Sequence, residues 1–267
     1  MNLLSIGLSS YNFHQHVASD IPSSGFYIDP VNMRTKQYLE KITDWTEENK
    51  LNTKKSKAMV FNFTNDYQFG TKMMLDNQEL EEIQETKLLG VIINNKLNWD
   101  SNTDFLVKKS NAKMWILHKL VDFQVPKDDL KIIYFLYIRS HLEQSCQVWH
   151  SSLTLENTKD IERVQKNALR IILQDDYNNY PDALETRGLE SLYDRRETLC
   201  LRFATKCIKS ENSVINNMFP LSYAQATVTT RKPDKFHVNM VSTGRYKKSA
   251  MPFMQRLLNS DSQNNLE

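Results

Sequence analysis

Polar and apolar positions along this chain follow two rhythms, and the first gives way to the second near residue 100. From Asp160 to Ile172 the apolar positions recur at helical spacing. Ile161, Val164, Ala168 and Ile171 form one stripe, with Glu162, Arg163, Lys166 and Arg170 on the wet side. The same period predicts helices over about 103 to 122, 127 to 149, 155 to 174, 181 to 187 and 189 to 209. Pro126 and Pro181 suit the first turn of a helix, where an N–H has no intrahelical partner to lose. Earlier, Asp29-Pro30 starts a helix that runs to about Asn49, with Tyr38, Leu39, Ile42 and Trp45 as its buried face. Between Ala58 and Ile93 the period shortens. Met59-Val60-Phe61-Asn62-Phe63, Met73-Met74-Leu75 and Leu88 to Ile93 read as short strands, broken by Thr64-Asn65-Asp66 and Asp76-Asn77.

These elements segregate, so the expected class is α+β. Residues 1–30 make a leader punctuated by Pro22, Gly25 and Pro30. Residues 31–100 hold one helix and a small antiparallel strand region, 101–210 an all-α bundle, and 211–267 a basic, partly irregular tail. Six glycines in 267 residues favour helices over tight-turned β architecture, and 40% hydrophobic residues supply a substantial core. Cys146, Cys200 and Cys207 are odd in number and lie in helical patterns, which argues for a reducing compartment, nuclear or cytoplasmic, and against secretion. No stretch approaches the roughly 18 apolar residues of a membrane span, so no membrane partner is expected.

Net charge is only +2, but its distribution is uneven. From Leu201 onward ten Lys/Arg face four Asp/Glu, including Arg231, Lys232, Arg245, Lys247 and Lys248. Lys108, Lys109 and Lys113 form a second basic group, opposite an apolar face of Phe105, Ala112, Ile116 and Leu120. Such groups suit phosphate contacts, and equally suit a solvated face. His141, Cys146 and His150 are zinc-type residues on one predicted helix. Offsets of five and nine turn them through about 500° and 900°, so they do not converge. Tyr134, Phe135 and Tyr137 could stack on bases, but beside Ile133, Leu136 and Ile138 they read as packing.

Several motifs fall in a familiar order. Trp45, Asn49, Leu51-Asn52 and Lys55-Ser56, then Met59-Val60-Phe61, resemble W-x-x-x-N-x-L-x-L-N-x-x-K-T and the strand after it. Lys87-Leu88-Leu89-Gly90-Val91 resembles a K-x-L-G-V hairpin. Leu97-Asn98-Trp99 and Ile138-Arg139-Ser140-His141-Leu142-Glu143 with Val148-Trp149 come next. The I-E-x-V-Q-K-x-A-L-R run from Ile161, Arg195-Arg196-Glu197-Thr198-Leu199-Cys200 and Gly244-Arg245-Tyr246 complete the series. Collinear over roughly 31 to 257, they resemble the region downstream of the polymerase core in jockey-like non-LTR retrotransposon reverse transcriptases.

That resemblance implies the end of the palm, a primer grip at Leu89, Gly90 and Val91, and a helical thumb. The thumb would touch an RNA/DNA duplex, or RNA, by phosphates and shape. Lys55 would stand at the family's motif lysine, a proton donor to pyrophosphate. The Mg²⁺ of two-metal catalysis belongs to the intact polymerase, and no cofactor is expected of this chain. The family's [FY]-x-D-D hairpin is absent. The two Asp-Asp pairs, Asp128-Asp129 and Asp175-Asp176, lack its preceding aromatic, and Asp128-Asp129 suits a helix N-terminus. The expected role is therefore a catalytically incomplete C-terminal piece whose partner domains lie upstream. Its rivals are a helical binding or scaffold module of the same ancestry and an independent DNA-binding helical domain. A further expectation is that the Trp149 helix packs on the Asp160 to Ile172 helix, with Trp149, Val164 and Ile171 in one core.

Overall fold

A computed structural model describes residues 30–50, 52–61, 72–219 and 243–264, with Phe236 and Val238. The chain divides into two compact units at Asn98 and Trp99. The fold is α+β: helical over most of the described residues, with the described strands, all very short, in the first unit.

The first unit opens with α1, Pro30–Glu48. Among its described side chains Leu39 and Thr46 are buried, whereas Tyr38 and Trp45 are about half exposed, so the expected stripe is corrected. Thr43 Oγ1 and Thr46 Oγ1 donate back to the carbonyls of Leu39 and Thr43, at 3.0 and 2.9 Å. That bonding lets two threonines occupy a packed face. After a 3₁₀ turn, Thr53–Lys55, β1 (Lys57–Ala58) pairs in parallel with β4 (Glu81–Glu82). The expected strand at 59–63 starts earlier and stops short: 59–61 are irregular, and 62–71 lie outside the described residues. β2 (Met74–Leu75) and β3 (Gln78–Glu79) form an antiparallel hairpin around Asp76-Asn77, both at positive φ. A second hairpin joins β5 (Glu85–Leu88) to β6 (Val91–Asn94) through Leu89-Gly90, where the periodicity alone suggested one strand.

In the second unit α2 (Asp100–Asn111) and α3 (Met114–Asp122) replace the single expected helix. Between them the backbone steps through 3₁₀-type bonds, Lys113 N–H to the Ser110 carbonyl at 3.0 Å among them. Asn102, Thr103, Leu106 and Ser110 are the residues buried on α2, and Ala112 is exposed, which corrects the expected apolar face. The helix expected over 127–149 is also interrupted. α4 (Lys127–Tyr134) passes through a π turn, Phe135–Arg139, into α5 (Ser140–Glu143). Ser145 in the left-handed region then ends it, and α6 (Cys146–Trp149) restarts. The carbonyl freed at Gln144 accepts from the Trp149 indole at 3.0 Å.

The central element is α7, Leu155–Leu173, which packs against α2, α3, α4 and two later helices. Thr154 caps it, its side chain accepting from the Asn157 amide. Ile161, Val164, Ala168, Leu169, Ile172 and Leu173 are buried, but Ile171 is only half so, and Ile172 takes the place predicted for it. α8 (Tyr180–Arg187) begins at the Asn179 cap and ends at Gly188, whose left-handed φ of 59° closes the helix. α9 (Leu192–Ile208) starts at the Ser191 cap. After α10 (Ser213–Asn216), residues 220–235 lie outside the description; the tail then holds α11 (Gly244–Lys247) and α12 (Ala250–Asn264). Of the helix expected over 127–149, α4 packs on α7, whereas α6, which carries Trp149, rests chiefly on α9 and also touches α12. Cys200, Ala204 and Cys207 of α9 share a core with Phe219, Phe236, Met254 and Leu258.

Candidate nucleic-acid interface

The hairpin of the first unit is built by its turn. Leu89 and Gly90 have φ of 48° and 90°, both in the region that a tight two-residue hairpin needs. Gly90 takes such a φ freely, whereas an L-residue with a branched side chain does so at a cost. Leu89 is nevertheless 89% exposed, so the strain serves no packing. Val91 is buried beside it and anchors the strand. Lys55 closes the 3₁₀ turn, in which the Asn52 side chain caps the Lys54 amide at 3.0 Å. Beyond that backbone Lys55 lies outside the described residues, as do Arg231 and Lys232.

In the second unit Lys108 and Lys109 occupy the last turn of α2, where the helix dipole welcomes cations. Lys109 and Lys113, four residues apart, both act on the charge of His141 in α5. Burial and then these two lysines hold the His141 imidazole below its ordinary pKa. The structure thus joins Lys109 and Lys113 to a residue that spacing assigned to no group. The Lys109 ammonium also lies 5.8 Å from the Phe105 ring. None of Lys108, Lys109 and Lys113 has a carboxylate partner among the described residues. Arg245, Lys247 and Lys248 are exposed on and just after α11, which is tied down through its backbone. Arg256 donates to the Lys247 carbonyl at 2.7 Å, and Ser152 to that of Lys248 at 2.9 Å.

His141, Cys146 and His150 have three different surroundings. The buried Cys146 thiol hydrogen-bonds that of Cys200, and this bond, then burial, pushes the Cys200 thiol up. His150 Nδ1 accepts from Arg196 Nε at 3.2 Å, and its ring meets Tyr193 and Phe253 edge-on. Burial and the Arg196 charge lower the His150 pKa to about 3. Arg196 is fully buried, 5.6 Å from the Trp149 ring, and its two Nη atoms have no hydrogen-bond partner among the described residues.

The Asp-Asp pairs do not fit a magnesium site. Asp128 is 87% exposed and pairs with Arg187 at 2.9 Å, and exposed Asp176 pairs with Lys127. Both links tie the start of α4 to the ends of α7 and α8, a structural use. The expected aromatic trio also divides. Tyr134 is buried and donates to Gln165 Oε1 at 2.6 Å, the Arg139 guanidinium lies 3.6 Å from the Phe135 centroid, and Tyr137 is about half exposed. Gln165 in turn donates to Tyr180 Oη and the Glu190 carbonyl, both at 2.9 Å, and Tyr180 donates to Glu162.

No family model, curated protein or solved structure matches the chain. No helix among the described residues is long and apolar enough to cross a membrane.

Proposed function

We propose that the chain is the primer-grip and thumb portion of a jockey-like non-LTR reverse transcriptase, and that its own activity is to hold an RNA/DNA duplex through the phosphates. The observation that carries the binding role is the run Lys108, Lys109 and Lys113: three lysines from one helix end and its following turn, none paired with a carboxylate among the described residues. The exposed Leu89 at a strained hairpin tip supports the grip, because backbone strain retained without packing is typical of contact sites. Polymerase chemistry is assigned to no carboxylate of this chain. Lys55 is kept as the motif lysine on the strength of the resemblance alone.

Fluorescence anisotropy of the full chain on an RNA/DNA duplex tests the proposal. Binding is sequence-blind and falls with salt at a log–log slope of about −0.9 per phosphate neutralised. Lys108→Ala with Lys113→Ala makes that slope shallower by about 1.8, the value for two lost phosphate contacts. Tight binding to one sequence that survives high salt, or an unchanged slope in the double variant, overturns it.

A further inference from the structure

A cleft of 240 Å³ opens in the helical unit, lined by Lys131, Phe135, Arg139, Gln165, Glu190 and Arg195. We propose that it binds a phosphoryl group, carried either by a free nucleotide or by the backbone of a nucleic-acid strand. The assignment rests on the cleft's own charges and stands apart from the polymerase reading.

Arg139 Nε and Arg195 Nε converge on the same oxygen of Glu143, at 3.1 and 3.2 Å. One carboxylate cannot neutralise two guanidinium groups, and neither arginine has another carboxylate partner among the described residues. Lys131 adds a third cation, its Nζ donating to the Arg187 carbonyl at 2.9 Å, a dipole and not a charge. Against these three stand Glu143 and the exposed Glu190 at the rim, so the concavity keeps a net positive charge. Arg139 and Arg195 expose only 18% and 27% of their side chains, and a charge so placed is felt more strongly than one in open water.

The site is also held in shape. Stacking at 3.6 Å on Phe135 fixes the Arg139 plane, so little side-chain freedom remains to be lost on binding. Phe135 and Arg139 are the two ends of the π turn, a rare distortion that is frequent at functional sites, and both reach the cleft. Arg195 comes from α9 and Lys131 from α4, so the cations approach from different elements. Three cationic donors suit the three terminal oxygens of a phosphoryl group better than the two of a carboxylate. The volume lies below the roughly 300–1,000 Å³ of pockets that enclose small molecules, so the cleft takes the phosphoryl group and leaves what carries it outside.

The test follows modification of Arg139 and Arg195 by phenylglyoxal in the full chain, peptide by peptide in a mass spectrometer. The probes are ADP, a hydroxyl-ended RNA/DNA duplex, and potassium chloride at matched ionic strength. At about ten times the dissociation constant, a bound ligand slows modification of both arginines by about tenfold. Protection by ADP alone assigns the cleft to a nucleotide; protection by the duplex assigns it to the backbone. Either result supports the phosphoryl site. Lys131→Gln weakens the protecting ligand by about tenfold, the usual loss for one charge-assisted hydrogen bond. Equal protection by chloride, or protection by neither probe, overturns the proposal, and these readings need only the unmodified chain. Duplex binding that keeps its salt slope while both arginines stay reactive in the presence of either probe would sink this site and leave the duplex-binding role standing.

Discussion

The two units of this chain are held by different physics. Between residues 30 and 98 the described buried side chains are Leu39, Thr46, Leu75 and Val91, and every strand has two to four residues. Between 99 and 264 a single helix, Leu155–Leu173, buries eight residues of its own. A two-stranded hairpin with so little apolar cover is marginal in water, so turn chemistry decides its shape. In the helical unit burial decides, and local irregularities such as the π turn and the Ser145 break are tolerated because the core over-determines them. The first unit thus presents exposed backbone turns, and the second supplies rigidity.

The sharpest way to break that contrast is Trp149→Ala. Trp149 is fully buried, bonded through its indole N–H and flanked by Arg196. Its removal costs about 3–5 kcal/mol in urea melts, the range for deleting a large buried aromatic. A loss below about 1 kcal/mol would mean that burial does not govern this unit.

A second measurement uses pH, because the described histidines, His118, His141 and His150, all belong to the helical unit. His150 in the folded chain takes a proton only near pH 3, whereas an unfolded histidine does so near about 6.5. Below about 6.5 the unfolded state therefore binds more protons, and stability falls with pH by at most about 1.4 kcal/mol per unit until His150 itself titrates. His141, also lowered, acts in the same direction. From pH 7 to 5, where most carboxylates stay charged, His150 accounts for about 2 kcal/mol lost. His150→Gln keeps an acceptor for Arg196 and removes the titration, so its melts flatten over that range. An unchanged pH dependence in this variant would refute the coupling.

How much of this was legible in the sequence differs by unit for the same reason. The helices at Asp160 to Ile172 and 181 to 187 were readable because their apolar period and proline placement act locally. Ile171 was mistaken for Ile172 because neighbouring apolar residues satisfy the same stripe within one position, and only the partners in space choose between them. Breaks at Ala112-Lys113 and Ser145 carry no glycine or proline signal. The caps Thr154, Asn179 and Ser191 were visible in principle, each accepting from the amide three residues on. Arg139 and Arg195 stood inside quoted motifs without a role, since their convergence on Glu143 joins residues 52 apart. In the first unit Asp76-Asn77 announced its turn, but Leu89-Gly90 was a hairpin only by resemblance, leucine being a poor turn former.

Leu89 gives the finest test of the comparison. If turn chemistry governs the first unit, Leu89→Asn stabilises the hairpin, because asparagine tolerates the left-handed region and Asn-Gly is the favoured pair for a tight two-residue turn. The gain is about 1 kcal/mol, the lower end of the cost of holding an L-residue there. No buried contact is lost in exchange, since Leu89 is 89% exposed. Amide exchange across residues 85–94 then slows by about fivefold, while urea melts of the helical unit stay unchanged. Faster exchange would show that the leucine side chain stabilises the turn. Slower exchange with weakened duplex binding means that leucine is kept for contact at the expense of stability, as the grip requires. Slower exchange with unaltered binding would remove Leu89 from the interface and leave the lysines to carry it.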